Sequence, residues 1–358
     1  MRGNLLVILL GNAKSAGMKR FCLLFFGIVA GFVTGCAHVP NPRADFLQII
    51  ARPHVALNPK VDALPATNGL AEFHFSFAAD AGQRVTGILM ESTNSTGRRP
   101  VVIVLHGTGG NKNSVAGLCY ELAKHGFVAV AIDGRYHGER TKAGNGSAEY
   151  NEAIVRAWHG SSEHPFFYDT VWDVMRLVDY LQTRDDVDSR RIGLTGISKG
   201  GIETYLTTAV DSRIAAAVPF IGAQSFRWAL ENNDWQGRIG TIQQAFDTVA
   251  KEEGVTNVNS AFVQTFYDRV VPKIYSEFDG PQMLPLIAPR PLLVVNSDHD
   301  PNCPLPGVEE ATAAAQKVYE ADNATNQFSV IIQKNTGHKV LPQSEQAMID
   351  WFVKWLKP

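Results

Sequence analysis

The run Arg191-Ile192-Gly193-Leu194-Thr195 leads without a break into Gly196-Ile197-Ser198-Lys199-Gly200-Gly201, and a helical pattern follows over Gly200 to Ala209. A strand that turns into a helix this abruptly has no room for side chains beside the bend, so Gly196 and Gly200 flank Ser198. Such a turn lies at the carboxyl edge of a sheet, beside a helix N-terminus, and presents the serine hydroxyl there. The constraint fixes a strand–turn–helix unit and asks for more of the same around it.

The remaining pattern supplies it. Alternation at Phe73, Phe75 and Phe77, then Val85, Gly87 and Leu89, predicts an antiparallel strand pair. Val101–Leu105 and Pro291–Asn296 read as buried strands, and Phe127–Ile132, Ile214–Ile221 and Gln327–Gln333 as further strands. Helices are expected over Ser114–Lys124, Asp169–Gln182 and Gln343–Leu356. Strands alternating with helices give an α/β, mostly parallel, doubly wound sheet. Residues 134–166 and 223–288 break the alternation and are expected as lid-like insertions after strands.

The G-x-S-x-G turn in this context resembles the nucleophile elbow of the α/β-hydrolase superfamily. The resemblance spans about residues 70–358, closest in kind to dienelactone-hydrolase-like and acetyl-xylan-esterase-like serine esterases. It implies Ser198 as nucleophile. Val104-Leu105-His106-Gly107-Thr108-Gly109-Gly110 resembles the His-Gly oxyanion loop, which makes the Thr108 and Lys199 N–H groups the donors and His106 structural. His338, in Asn335-Thr336-Gly337-His338 after the last strand, holds the place of the general base. Asp300, after Leu292–Asn296 and Ser297-Asp298-His299, aligns with the family acid, and Asp298 is the alternative. Asp133-Gly134-Arg135-Tyr136-His137-Gly138 is similar to a segment of the same relatives and is expected to be architectural, an ion pair and a tight turn. Trp158, Phe166, Phe167, Trp228, Trp235 and Phe266 are candidates for an acyl pocket or for lid packing.

Lys19-Arg20, the apolar run Phe21–Val33 and Val33-Thr34-Gly35-Cys36 resemble a bacterial lipoprotein signal. Residues 1–35 are then the signal, starting from Met1 or Met18, and Cys36 is the lipidated residue. A single membrane anchor is the competing reading. Ala37 after the cysteine points to the outer membrane, facing the periplasm. Residues 36–70 are expected as a tether and irregular lead-in, and residues 71–358 as the catalytic domain. Cys119 and Cys303 are expected as free, partly buried thiols, although a disulfide is open to them.

A formal net charge of −2 excludes the basic excess of a nucleic-acid binder. It favours a small ester of little or no charge over a polyanion. No H-E-x-x-H spacing and no P-loop occur, so no metal and no cofactor are called for. The expected activity is hydrolysis of carboxylic esters through Ser198, Asp300 and His338. A peptidase of the prolyl-oligopeptidase type and a non-catalytic envelope lipoprotein are the alternatives. Oligomeric state is not encoded in any of these motifs.

Overall fold

Val101 to Leu105 are buried on both sides, which requires cover on each face of the strand. The computed structural model describes residues 41–94, 96–142 and 146–357 and provides that cover. The signal at 1–35 and Cys36 lie outside the described residues. The strands are β1 (Lys60–Thr67), β2 (Leu70–Asp80), β3 (Gln83–Ser92), β4 (Arg99–Leu105), β5 (Val128–Ile132), β6 (Val187–Ile197), β7 (Ile214–Phe220), β8 (Leu292–Ser297) and β9 (Phe328–Gln333). They form one sheet in the order β1-β2-β3-β5-β4-β6-β7-β8-β9. Pairing is antiparallel from β1 to β5 and parallel from β5 to β9.

The helices are α1 (Pro42–Ile50), α2 (Ala116–Lys124), α3 (Gly146–Trp158), α4 (Tyr168–Gln182), α5 (Lys199–Val210), α6 (Phe226–Glu231), α7 (Gln236–Gly240), α8 (Gln243–Glu252), α9 (Ser260–Val270), α10 (Gly280–Met283), α11 (Leu305–Ala321) and α12 (Pro342–Leu356). The period-2 side-chain alternation of β4 divides the core between faces. Val102 and Val104 pack with Leu122 of α2 and Phe352 of α12. Val101 and Ile103 pack with Val174 and Leu177 of α4. Because β5 and β6 flank β4 on opposite sides, the chain reverses its direction of winding there. The crevice beyond the carboxyl ends of β4 and β6 is the place where such sheets bind ligands.

The structure corrects the expected irregular lead-in. Within residues 36–70, α1 and β1 are regular. Asn41 caps α1 through its side chain, Pro42 opens it, and Phe46 and Ile50 are buried one turn apart. Nine residues make too few turns for a periodic signal to stand out. β1 is an edge strand pairing Lys60–Leu64 with Glu72–Ser76, and its exposed Val61 and Leu64 remove the usual alternation. α11 also escaped the pattern, since its buried face is largely Ala311, Thr312 and Ala315. The segment 134–166 carries α3, and 223–288 carries α6 to α10. The ring of Phe46 meets Tyr168 at 4.7 Å and Phe278 at 5.0 Å, both edge-on. Phe46→Ala should therefore cost about 3–5 kcal/mol in denaturant unfolding. A loss under about 1 kcal/mol would mean that α1 is not part of this core.

Candidate active site

β6 ends at Ile197, and Ser198 takes φ 59°, ψ −113° before α5 begins at Lys199. Left-handed backbone at a non-glycine residue is strained by about 1–3 kcal/mol and needs surrounding structure to hold it. The Ser198 N–H donates to the Phe220 carbonyl at 2.9 Å, and the Ser198 carbonyl accepts from Ile202 N–H at 3.0 Å. A Cβ on Gly196 would overlap the Gly200 carbonyl, and one on Gly200 would overlap the Leu105 and His106 carbonyls. The glycines thus let α5 press directly onto the end of β4.

The loops after β8 and β9 meet this turn. His338 Nε2 lies 2.7 Å from Ser198 Oγ. Its Nδ1 lies 2.7 Å and 2.9 Å from the two Asp300 oxygens. The Asp300 side chain is wholly buried, while His338 remains partly exposed. Nδ1 therefore donates to the carboxylate, and Nε2 is left to accept the serine proton. Asp298, the alternative acid, has another job: it accepts from the Asn335 and Thr336 N–H groups, both at 3.1 Å. Those bonds, from Thr336 first, hold its carboxyl below the usual range. With Asp298 N–H to the Gln333 carbonyl and His299 N–H to the Thr336 carbonyl, they zip the loop after β8 to the loop after β9. Gln333, which sequence reasoning missed, braces the loop after β9 from below. It donates to the Lys339 carbonyl and accepts from Leu341 N–H. Its only sequence signal is its place at the end of β9.

The loop after β4 closes the third side. A Cβ on Gly107 would stand 3.5 Å from Ser198 Cβ, so this backbone borders the serine directly. Two buried histidines shape it. His106 Nδ1 donates to the Gly107 carbonyl at 2.7 Å, and its Nε2 accepts from Gly134 N–H at 2.9 Å. His137 Nδ1 donates to the Arg135 carbonyl at 2.7 Å, and its Nε2 accepts from Gly109 N–H at 3.3 Å. Both rings must be neutral to accept. Burial, helped by the Lys199 ammonium, lowers His106 to about 4 and His137 to about 2. Asp133, in the same segment, pairs with Lys112 at 2.7 Å. Burial would raise its carboxyl, but hydrogen bonds from Lys112 and Thr86 hold it low.

Thr108 lines a cavity of about 420 Å³ with Ser198, Ile221, Thr241, Asn302, His338 and Lys339. Ile221, Thr241, Asn302 and Lys339 were not foreseen. Asn302 and Lys339 neighbour the predicted acid and base in the chain, while Thr241 comes from the long insert and had no signal. The Lys199 N–H is the first of α5, where no intrahelical acceptor exists. The Lys199 side chain is buried against Glu203, Nζ to Oε1 at 2.5 Å. Burial pushes the Glu203 carboxyl up to about 7 against the pull of that ammonium. None of the six insert aromatics lines this cavity. Phe166, Phe167 and Phe266 are core residues, and Trp158 lies under the Arg269 guanidinium at 4.1 Å. Cys119 and Cys303 are free and fully buried. Among the described residues no group of His, Cys, Asp and Glu is arranged to hold a metal ion.

The His137 linkage gives a stability prediction. The unfolded chain takes a proton near the ordinary 6.5, whereas the folded ring resists it down to about 2. Stability from this group is thus present above 6.5 and is lost as pH falls, by about 1.4 kcal/mol per pH unit. His137→Asn should destabilise most at pH 7, and its cost should shrink by about 2–3 kcal/mol at pH 4.5. Paired thermal melts check this; a cost independent of pH would contradict a neutral buried ring.

The family model for acetyl xylan esterase (AXE1) matches residues 54–256. A second, the BAAT / acyl-CoA thioester hydrolase C-terminal model, matches residues 176–343. Putative hydrolase YtaP of Bacillus subtilis is 25% identical over 241 residues, covering 66% of this chain and 67% of its own. Putative esterase YitV of the same organism is 26% identical over 282 residues, 76% of this chain and 98% of its own. The acetyl xylan esterase structure from Paenibacillus sp. R4 superposes with a TM-score of 0.61 at 20% identity, covering 88% of this chain and 92% of that one. With the α/β-hydrolase fold already in place, the chain belongs to the acetyl xylan esterase family and is a carboxylic ester hydrolase.

Proposed function

We propose that Ser198, His338 and Asp300 form the catalytic triad of a serine esterase that works through an acyl-enzyme. The observation that carries this reading is the unbroken hydrogen-bond chain from Ser198 Oγ through His338 to the buried Asp300, at the wall of a cavity. Ser198 Oγ attacks the ester carbonyl while His338 Nε2 takes its proton. Asp300 holds the imidazole tautomer and stabilises the cation. The N–H groups of Lys199 and Thr108 donate to the developing oxyanion, each worth about 3–4 kcal/mol. His338 then returns the proton to the departing alcohol, and water, activated by the same base, hydrolyses the acyl-enzyme.

The relatives' names supply a substrate class. Similar proteins are called acetyl xylan esterase, 4-O-methyl-glucuronoyl methylesterase and glucuronoyl esterase. A cavity of about 420 Å³ suits a small acyl or alkyl group better than a long chain. The proposed substrate is accordingly a short ester carried on a carbohydrate. The proposed location is the periplasmic face of the outer membrane, through acyl chains on Cys36.

Ser198→Ala should abolish both turnover of a short acetyl ester and labelling by a fluorophosphonate probe, with unfolding unchanged. Asp300→Asn should lower kcat by about 10³–10⁴, and Asp298→Asn by far less. Wild-type protein that stays unlabelled while folded would end the catalytic reading, and hydrolysis of peptide amides alone would end the esterase one. In cells fed a labelled fatty acid, the full chain should take up label and Cys36→Ala should not. Equal labelling of both would remove the lipoprotein assignment.

A further inference from the structure

The long insert does more than wall the cavity. Its helix α7 lies directly on the turn that follows Asp300: a Cβ on Gly237 would overlap the Pro301 carbonyl. The next residue, Arg238, is only 4% exposed. Its Nη2 donates to the Asn302 carbonyl at 2.9 Å and to Cys303 Sγ at 3.0 Å. Other buried arginines face carboxylates, Arg99 with Glu91, Arg135 with Asp173 and Arg176 with Asp179. Arg238 makes no ion pair among the described residues, and its Nε is buried without a partner. A buried cation without an ionic partner is costly, so packing alone does not account for it.

The turn it grips is the one that shapes the acid. Asn302 N–H donates to Asp300 Oδ1 at 2.8 Å, and Cys303 N–H to the Asp300 carbonyl at 3.3 Å. Cys303 Sγ in turn donates to the Ile221 carbonyl at 3.3 Å, beyond β7. Burial pushes this thiol up to about 12, so it stays protonated and neutral; it feels both the Arg238 and the Asp300 charge. On the cavity side, Thr241 Oγ1 donates to the Arg238 carbonyl at 2.8 Å, which joins the gripping helix to the wall.

We propose that Arg238 is a positioning residue: from the insert it locks the 301–303 turn, and through Asp300 it sets the imidazole of His338 for proton transfer. This rests on the triad reading above. Arg238 touches no reacting atom, so its effect is on kcat through geometry. A displacement near 1 Å in such a constellation costs about 10²-fold.

The test uses the full-length protein and a short acetyl ester, with Arg238→Met, Arg238→Lys, Asp300→Asn and both double variants. Arg238→Met, which keeps the apolar stem, should lower kcat about 10–100-fold with KM changed less than about threefold. Arg238→Lys should recover part of that rate. In the Asp300→Asn background the same Arg238→Met change should cost less than about threefold, because the two residues act along one path. A kcat within about twofold of wild type, or equal losses in both backgrounds, would overturn the proposal. Should Arg238→Met fail to fold by circular dichroism, the cycle with Arg238→Lys decides, needing at least a threefold loss that vanishes beside Asp300→Asn (about the resolution of such cycles). Full activity in Asp300→Asn alone would instead sink the triad reading.

Discussion

The contact of α5 with the end of β4, backbone on backbone at Gly200, is the constraint on which the site depends. It holds Ser198 in left-handed geometry at the carboxyl edge of the sheet. It also brings the Gly107–Gly109 loop against the serine, so that Ser198 and the backbone of this loop share one packing event. Any side chain at Gly196 or Gly200 would separate them. The strain at Ser198 is held by hydrogen bonds from β7 and from within α5.

Around that contact, rigidity comes from buried polar groups rather than from further apolar packing. His106 and His137 are held neutral and spend both ring nitrogens on loop backbone. The half-buried Asp298 and the buried Gln333 likewise bond backbone in the loops after β8 and β9. These bonds fix carbonyl and N–H directions in the loops around Ser198. The insert adds the Arg238 grip from the far side of Asp300.

Much of this was legible in the sequence, for a physical reason. Ser198 sits in a turn whose glycines are compulsory, Asp300 follows the buried strand β8, and His338 follows the apolar run Val330-Ile331-Ile332 of β9. The strands β4 to β9 and the helix α4 were readable because both faces or one long face are apolar. Where burial is spread over small residues, as in α11, or where an edge strand exposes its apolar side chains, as in β1, the pattern fades. α1 is too short to show a period although Phe46 is fully buried. Thr241 and Arg238 were invisible because only tertiary folding carries the insert to the acid loop. The choice of Asp300 over Asp298 rested on resemblance; in the fold, the Asp300 carboxylate turns toward His338 and the Asp298 carboxylate toward backbone amides.

The central claim is that catalysis passes through a covalent acyl group on Ser198. Rapid mixing with excess short acetyl ester, acid quench and peptide mass analysis would test it most directly. The account predicts an acetyl group on the peptide bearing Ser198, formed at a rate that matches turnover and absent from Ser198→Ala. Turnover with no acyl adduct, or with the adduct on another residue, would contradict it.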